Sequence, residues 1–160
     1  MRVERDFEDF IKLLNENRVK YLLVDAFAVG FHSRPRSTGD MDFLVQPEKE
    51  NASRVLKVLR DFGFGSLDIT IETLCDPNTV VQLGFEPNRI DLITSIGDFS
   101  FEDAYAEKSS EKYGESLVDV ISYDFLLRSK RIANRPRDIA DIDQLTKFRK
   151  IEEEEKKKRK

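Results

Sequence analysis

Asp40 and Asp42 flank Met41 in the segment Gly39-Asp40-Met41-Asp42-Phe43-Leu44-Val45, whose apolar residues and closing Pro47 predict a strand over residues 41–45. Side chains two apart on a strand share a face, so the carboxylates point one way while Met41 and Phe43 point the other. A hard divalent cation such as Mg²⁺ removes the repulsion between them, because it prefers carboxylate oxygens and keeps positions open for phosphate and water. A third acid, Asp91, stands inside the apolar run Arg89-Ile90-Asp91-Leu92-Ile93. A carboxylate buried there costs several kcal/mol unless it is paired or coordinated. A salt bridge to Arg89 or a more distant arginine would satisfy it; so would convergence with Asp40 and Asp42. Three convergent carboxylates suit two metal ions about 4 Å apart, which activate a hydroxyl and stabilise a leaving pyrophosphate.

The elements that must position these acids can be read from the periodicity. Phe7, Phe10, Ile11 and Leu14 repeat at helical spacing within residues 4–18, and residues 21–24 (Tyr-Leu-Leu-Val) are strand formers. A short helix over residues 26–31 is stopped at Pro35, and a longer one over residues 48–62 closes on Gly63 and Gly65. Residues 80–85 and 89–94, joined through Glu86-Pro87-Asn88, predict an antiparallel hairpin. A helix over 99–107, a strand over 116–121 and two helices over 123–133 and 136–150 follow, Pro136 taking the first helical position. The fold class is therefore α/β (α+β), a small mixed sheet flanked by helices with a helical C-terminal cap.

The chain of 160 residues carries a formal charge of −4 and 39% hydrophobic residues, which fits one folded domain over residues 1–150 followed by a charged tail over 151–160. Four glutamates and five basic residues make the tail a solvated helix extension or a disordered segment. An acidic balance disfavours a globally basic nucleic-acid binder, leaving local patches at Arg34 with Arg36, at 128–137 and in the tail. The single cysteine, Cys75, excludes an internal disulfide and fits a reducing compartment, so cytoplasm is expected. No apolar run approaches the roughly 20 residues of a membrane span.

With strand, small-residue turn, helix and Arg36-Ser37-Thr38-Gly39-Asp40-Met41-Asp42 in succession, the region resembles the minimal nucleotidyltransferases of the DNA polymerase β-like superfamily. The likeness is greatest to the bacterial abortive-infection toxin group, and it extends to Leu126-Leu127-Arg128-Ser129-Lys130 and Arg137-Asp138-Ile139-Ala140-Asp141. The resemblance implies a sheet of the nucleotidyltransferase type. It implies transfer of a nucleoside monophosphate from a nucleoside triphosphate (NTP) to an acceptor hydroxyl, an RNA or tRNA end among the candidates, with release of pyrophosphate. Asp40, Asp42 and Asp91 would hold Mg²⁺, two ions during the reaction, and Asp91 would help deprotonate the acceptor. Arg36, Thr38, Lys130, Asp25 and Ala26 would line the nucleotide, Lys130 and Arg36 as counter-charges. Asp138 and Asp141 would orient Lys130 or cap the last helix, and an antitoxin or other protein would restrain the activity.

One position departs from that pattern. Small residues normally follow the first strand, whereas this chain reads Val24-Asp25-Ala26-Phe27. A carboxylate there would repel phosphate and is expected not to take glycine's conformations readily. Asp25 either turns away, serves as a further ligand, or weakens the site, and the last option leaves room for a non-catalytic module that binds a nucleotide or a protein partner. His32 reads as a local hydrogen bonder and Cys75 as packing. Phe7, Phe10, Phe62 and Phe125 read as core, and Phe27, Phe31 and Phe85 are open to a stacking role.

Overall fold

A computed structural model describes residues 3–35 and 39–159. The order is α1 (Arg5–Glu16), β1 (Tyr21–Val24), α2 (Asp25–His32), β2 (Asp40–Val45), α3 (Lys49–Phe62), α4 (Ile71–Cys75), β3 (Val80–Leu83), β4 (Arg89–Ile93), α5 (Phe101–Ala106), β5 (Ser109–Tyr113), β6 (Ser116–Val120), α6 (Tyr123–Ala133) and α7 (Pro136–Lys158). The strands form one mixed sheet in the order β3-β4-β2-β1-β6-β5. β2 is central, antiparallel to β1 and parallel to β4.

Hydrophobic spacing explains how the helices seat. Phe7, Phe10, Ile11 and Leu14 are all buried on one face of α1. The Phe10 ring lies 5.6 Å from Phe43 of β2 and 5.1 Å from Phe62 of α3, and Tyr21 of β1 lies 5.5 Å from Phe43. Each aromatic buried in this way contributes roughly 1.5–3 kcal/mol. Phe43 is thereby fixed toward α1 and α3, which decides the face on which its neighbours Asp42 and Leu44 must lie. Gly63, at φ 101°, ends α3 in the left-handed conformation that residues with a side chain avoid.

Two elements escape the periodicity. β5 reads Ser-Ser-Glu-Lys-Tyr, a polar string that pairs with β6 at the sheet edge and buries only Tyr113 well. α4 has five residues and is capped by Thr70, whose Oγ1 accepts from the Thr73 amide. α7 continues through the charged segment to Lys158, with its last residues exposed. Among the described residues, no helix is long and apolar enough to cross a membrane. Cys75 is half-buried against the core.

Candidate active site

β2 and β4 run parallel with Asp40 opposite Arg89 and Asp42 opposite Asp91. Register neighbours project to the same side of a sheet, so Asp40, Asp42, Arg89 and Asp91 share one face and Met41, Phe43, Ile90 and Leu92 share the other. The second set is core. The two ways of satisfying Asp91 that the sequence offers occur together. Arg89 Nε donates to Asp91 Oδ1 at 2.8 Å and Nη2 to Asp91 Oδ2 at 3.1 Å, while Nη2 also donates to Asp40 Oδ2 at 2.9 Å. The guanidinium thus ties the two strands together across their acidic end.

Asp42 and Asp91 are 8% and 6% exposed. Burial, then the charges of Asp25 and Asp91 and a hydrogen bond with Asp91, pushes the Asp42 carboxyl well above the usual carboxylate range. Asp40 is raised too, by burial first; Arg89 opposes the rise and Asp91 adds to it. Among the described residues, no set of three or more acidic, His or Cys side chains is disposed to hold a metal ion as it stands. Arg89 balances Asp40 and Asp91 instead. The donors nonetheless suit Mg²⁺, since they are all hard oxygens gathered on one face of the sheet.

Val24, the last residue of β1, is opposite Asp42, which places Asp25 beside the acids at the start of α2. Asp25 does take a glycine-like conformation, with φ 57°. An aspartate in this region costs about 1–2 kcal/mol, and a strong ion pair holds it. Lys130 Nζ of α6 is 2.5 Å from Asp25 Oδ1, and Arg137 Nη2 is 3.9 Å from Oδ2.

Lys130 is itself buried and meets two more carboxylates, Asp141 at 3.0 Å and Asp138 at 3.3 Å. Burial alone would lower its pKa, but Asp25 and Asp141 outweigh burial and raise it, so the ammonium stays charged. Asp138 and Asp141 are three apart near the start of α7 and share a helix face. Asp138 does both things expected of it: besides meeting Lys130, its Oδ2 accepts from the Arg135 amide at 3.0 Å and from Arg135 Nε at 2.6 Å, capping α7. Burial would push its carboxyl up, but these hydrogen bonds and Lys130 bring it down to about 2. Asp25, Lys130, Arg135 and Asp138 line a cavity of about 170 Å³ with Ile96 and Ile132.

The structure thus brings Asp25, Asp40, Asp42, Asp91 and Lys130 into one neighbourhood, with Ala26 in the adjoining first turn of α2. Arg36 and Thr38 lie outside the described residues. His32 Nε2 is 2.6 Å from the Ile121 carbonyl, a local hydrogen bond. Phe27 is buried, Phe31 half-buried and Phe85 exposed. What the sequence reading missed is the bridging of Asp40 to Asp91 through Arg89. The signal is the i, i+2 spacing of Arg89 and Asp91, which puts them on one face of any strand.

No family model matches the sequence, and no curated protein does. The fold does match solved structures. The lincosamide antibiotic adenylyltransferase LnuA, with lincomycin bound, aligns over 91% of this chain and 97% of its own at a TM-score of 0.57 and 14% identity. An antigenic nucleotidyltransferase-like protein from Paracoccidioides brasiliensis aligns over 89% of this chain and 74% of its own, with a TM-score of 0.51 and 14% identity. The fold is that of the nucleotidyltransferases.

Proposed function

We propose that this protein is a divalent-cation-dependent nucleotidyltransferase that moves a nucleoside monophosphate from an NTP to an acceptor hydroxyl, releasing pyrophosphate. The observation that carries this reading is the Asp42–Asp91 register across β2 and β4, with Asp40 on the same face. Mg²⁺ held there would polarise the α-phosphate and lower the pKa of the acceptor hydroxyl. Asp91, on the same face as Asp40 and Asp42, would accept the hydroxyl proton once Arg89 releases one of its oxygens. Ala26 and the following residues of α2 present main-chain N–H groups at a helix start, a favourable place for phosphate. Lys130 neutralises Asp25, so a carboxylate at the turn does not confront the triphosphate uncompensated.

The acceptor is proposed to be an RNA end, as the likeness to the toxin group suggests, with a small hydroxylated molecule of the kind the lincosamide adenylyltransferase modifies as the competing class. Incubation with each α-labelled NTP and Mg²⁺, offering total RNA, protein and small polyols in turn, tests the reading. Label transferred to any acceptor by the native protein and lost with Asp42→Asn supports it. No transfer with any NTP and acceptor, together with NTP binding that is insensitive to Mg²⁺, favours the second reading, a non-catalytic binding module. The observation behind that second reading is the engagement of Lys130 by three carboxylates.

A further inference from the structure

Arg89 stands where a cation would have to enter. It contacts Asp40 and Asp91 simultaneously, and only about a fifth of its side chain is exposed. A guanidinium and a divalent cation cannot both sit a few ångströms apart on the same carboxylates without strong repulsion. Glu86 offers a destination. Its Oε1 is 3.8 Å from Arg89 Nη1, on the side away from the two aspartates' bonds to Nε and Nη2, and its side chain is 72% exposed. The turn that carries Glu86 is fixed against β2: the Arg89 amide donates to the Gly39 carbonyl at 3.1 Å, and a Cβ on Gly39 would lie 2.4 Å from the Pro87 carbonyl oxygen. Arg89 Nη1 therefore already lies near Glu86 while Nε and Nη2 engage the aspartates.

We propose that Arg89 is the site's internal counter-ion, a positioning residue that holds Asp40 and Asp91 in place before the cation arrives and moves onto Glu86 when it binds. This inference rests on the nucleotidyltransferase reading only in requiring that the aspartates take a divalent cation. The exchange is reversible and breaks no covalent bond. It gives the acids a defined geometry without metal, and it makes cation affinity depend on a residue that is not a ligand. The Glu86 carboxylate lowers the cost of vacating the aspartates, so its charge favours cation binding from outside the coordination sphere.

The test is calorimetric titration of the nucleotide-free protein with Mn²⁺, comparing native, Arg89→Gln, Arg89→Lys, Glu86→Gln and Asp42→Asn proteins. Arg89→Gln should bind Mn²⁺ at least tenfold more tightly while melting at lower temperature in EDTA. Glu86→Gln, on the surface and harmless to folding, should bind several-fold more weakly. Arg89→Lys keeps the charge but not the fork, and should fall between native and Arg89→Gln. In the native protein the Arg89 Nε–H NMR resonance should shift as Mg²⁺ is added. Equal Mn²⁺ affinity in the native, Arg89→Gln and Glu86→Gln proteins, with loss only in Asp42→Asn, would overturn the exchange and leave the cation site standing. Absence of Mn²⁺ binding in every protein, Arg89→Gln included, would overturn both.

Discussion

Asp42 and Asp91 face each other in register across β2 and β4, both more than nine-tenths buried. Folding brings these acids together because Phe43 and Leu92 must reach the core on the other face, and the pleat leaves their neighbours no alternative. The acidic face is therefore a consequence of the hydrophobic one. Its repulsion is carried by the rest of the domain, which is the arrangement expected of a site organised for a ligand rather than for stability.

Asp42→Asn separates the two. The amide keeps the volume and removes a buried ionisable group whose charged form burial and its acidic neighbours disfavour, so thermal unfolding in EDTA should occur at the native temperature or above it. Transfer activity should fall at least 100-fold, because an amide is a poor Mg²⁺ ligand and cannot balance its charge. Circular dichroism melts beside a labelled-NTP assay check the divergence; near-native activity in the variant would remove Asp42 from the reaction.

At Asp25 the backbone and the side chain make opposite demands. Asp25→Gly gives up the Lys130 pair but relieves the φ of 57°, whereas Asp25→Ala gives up the pair and keeps the strain. The glycine variant should be more stable than the alanine variant by about 1 kcal/mol, measured by urea unfolding. Equal stability would mean that the conformation at residue 25 relaxes when its carboxylate is lost.

Lys130→Met leaves Asp25, Asp138 and Asp141 facing one another without their shared ammonium. Removing one partner from buried ion pairs costs about 3–5 kcal/mol, a fall in melting temperature of roughly 6–20 °C in a domain of this size. Adding Asp141→Asn to that variant should restore part of the loss. Additive effects of the two substitutions would show that Asp141 and Lys130 do not depend on each other.

Asp138 should govern acid stability. Its carboxyl is lowered to about 2 against an ordinary value of 3.8, so the unfolded chain binds more protons between those values. A lowered carboxyl contributes stability that is complete above pH 4 and lost as pH falls through about 2, and its size is at most roughly 2 kcal/mol. Asp138→Asn should be less stable than the native protein at pH 6, with the gap closing toward pH 2. Urea titrations at a series of pH values read this out, and a gap that stayed constant would assign the effect to the lost cap geometry rather than to charge.

How much of this was legible in the sequence depends on the physics behind each feature. The shared face of Asp40 and Asp42 followed from the strand period with Met41 and Phe43 as core, whereas the place of Asp91 beside them depends on the pairing of β2 with β4, which strand period does not specify. Asp138 and Asp141 were implied by the family resemblance, and their place on one face of α7 is seen in the structure. β5 was missed because an edge strand needs little apolar surface, and Ser109 to Lys112 offer none. The resemblance implied Lys130 as a counter-charge for phosphate with Asp138 and Asp141 as its orienting partners, and the packing of α6 beside α2 adds Asp25 to them. Asp25 was difficult for a different reason: its conformation is set by a partner far along the chain, and local preference carries no information about that partner.

That distance has a consequence for the newborn chain. Asp25 and Lys130 are 105 positions apart, whereas Asp40 and Arg89 are 49 apart. At about 5–20 residues per second, a ribosome adds the Lys130 codon's product some 5–20 s after that of Asp25. During that interval β1 and the start of α2 have no ammonium to hold the turn at Asp25, and the acids of β2 and β4 can meet before their lysine exists. In order of synthesis the acidic centre thus precedes its clamp, and the ion pairs around Lys130 need a chain whose translation has reached Asp141 of α7.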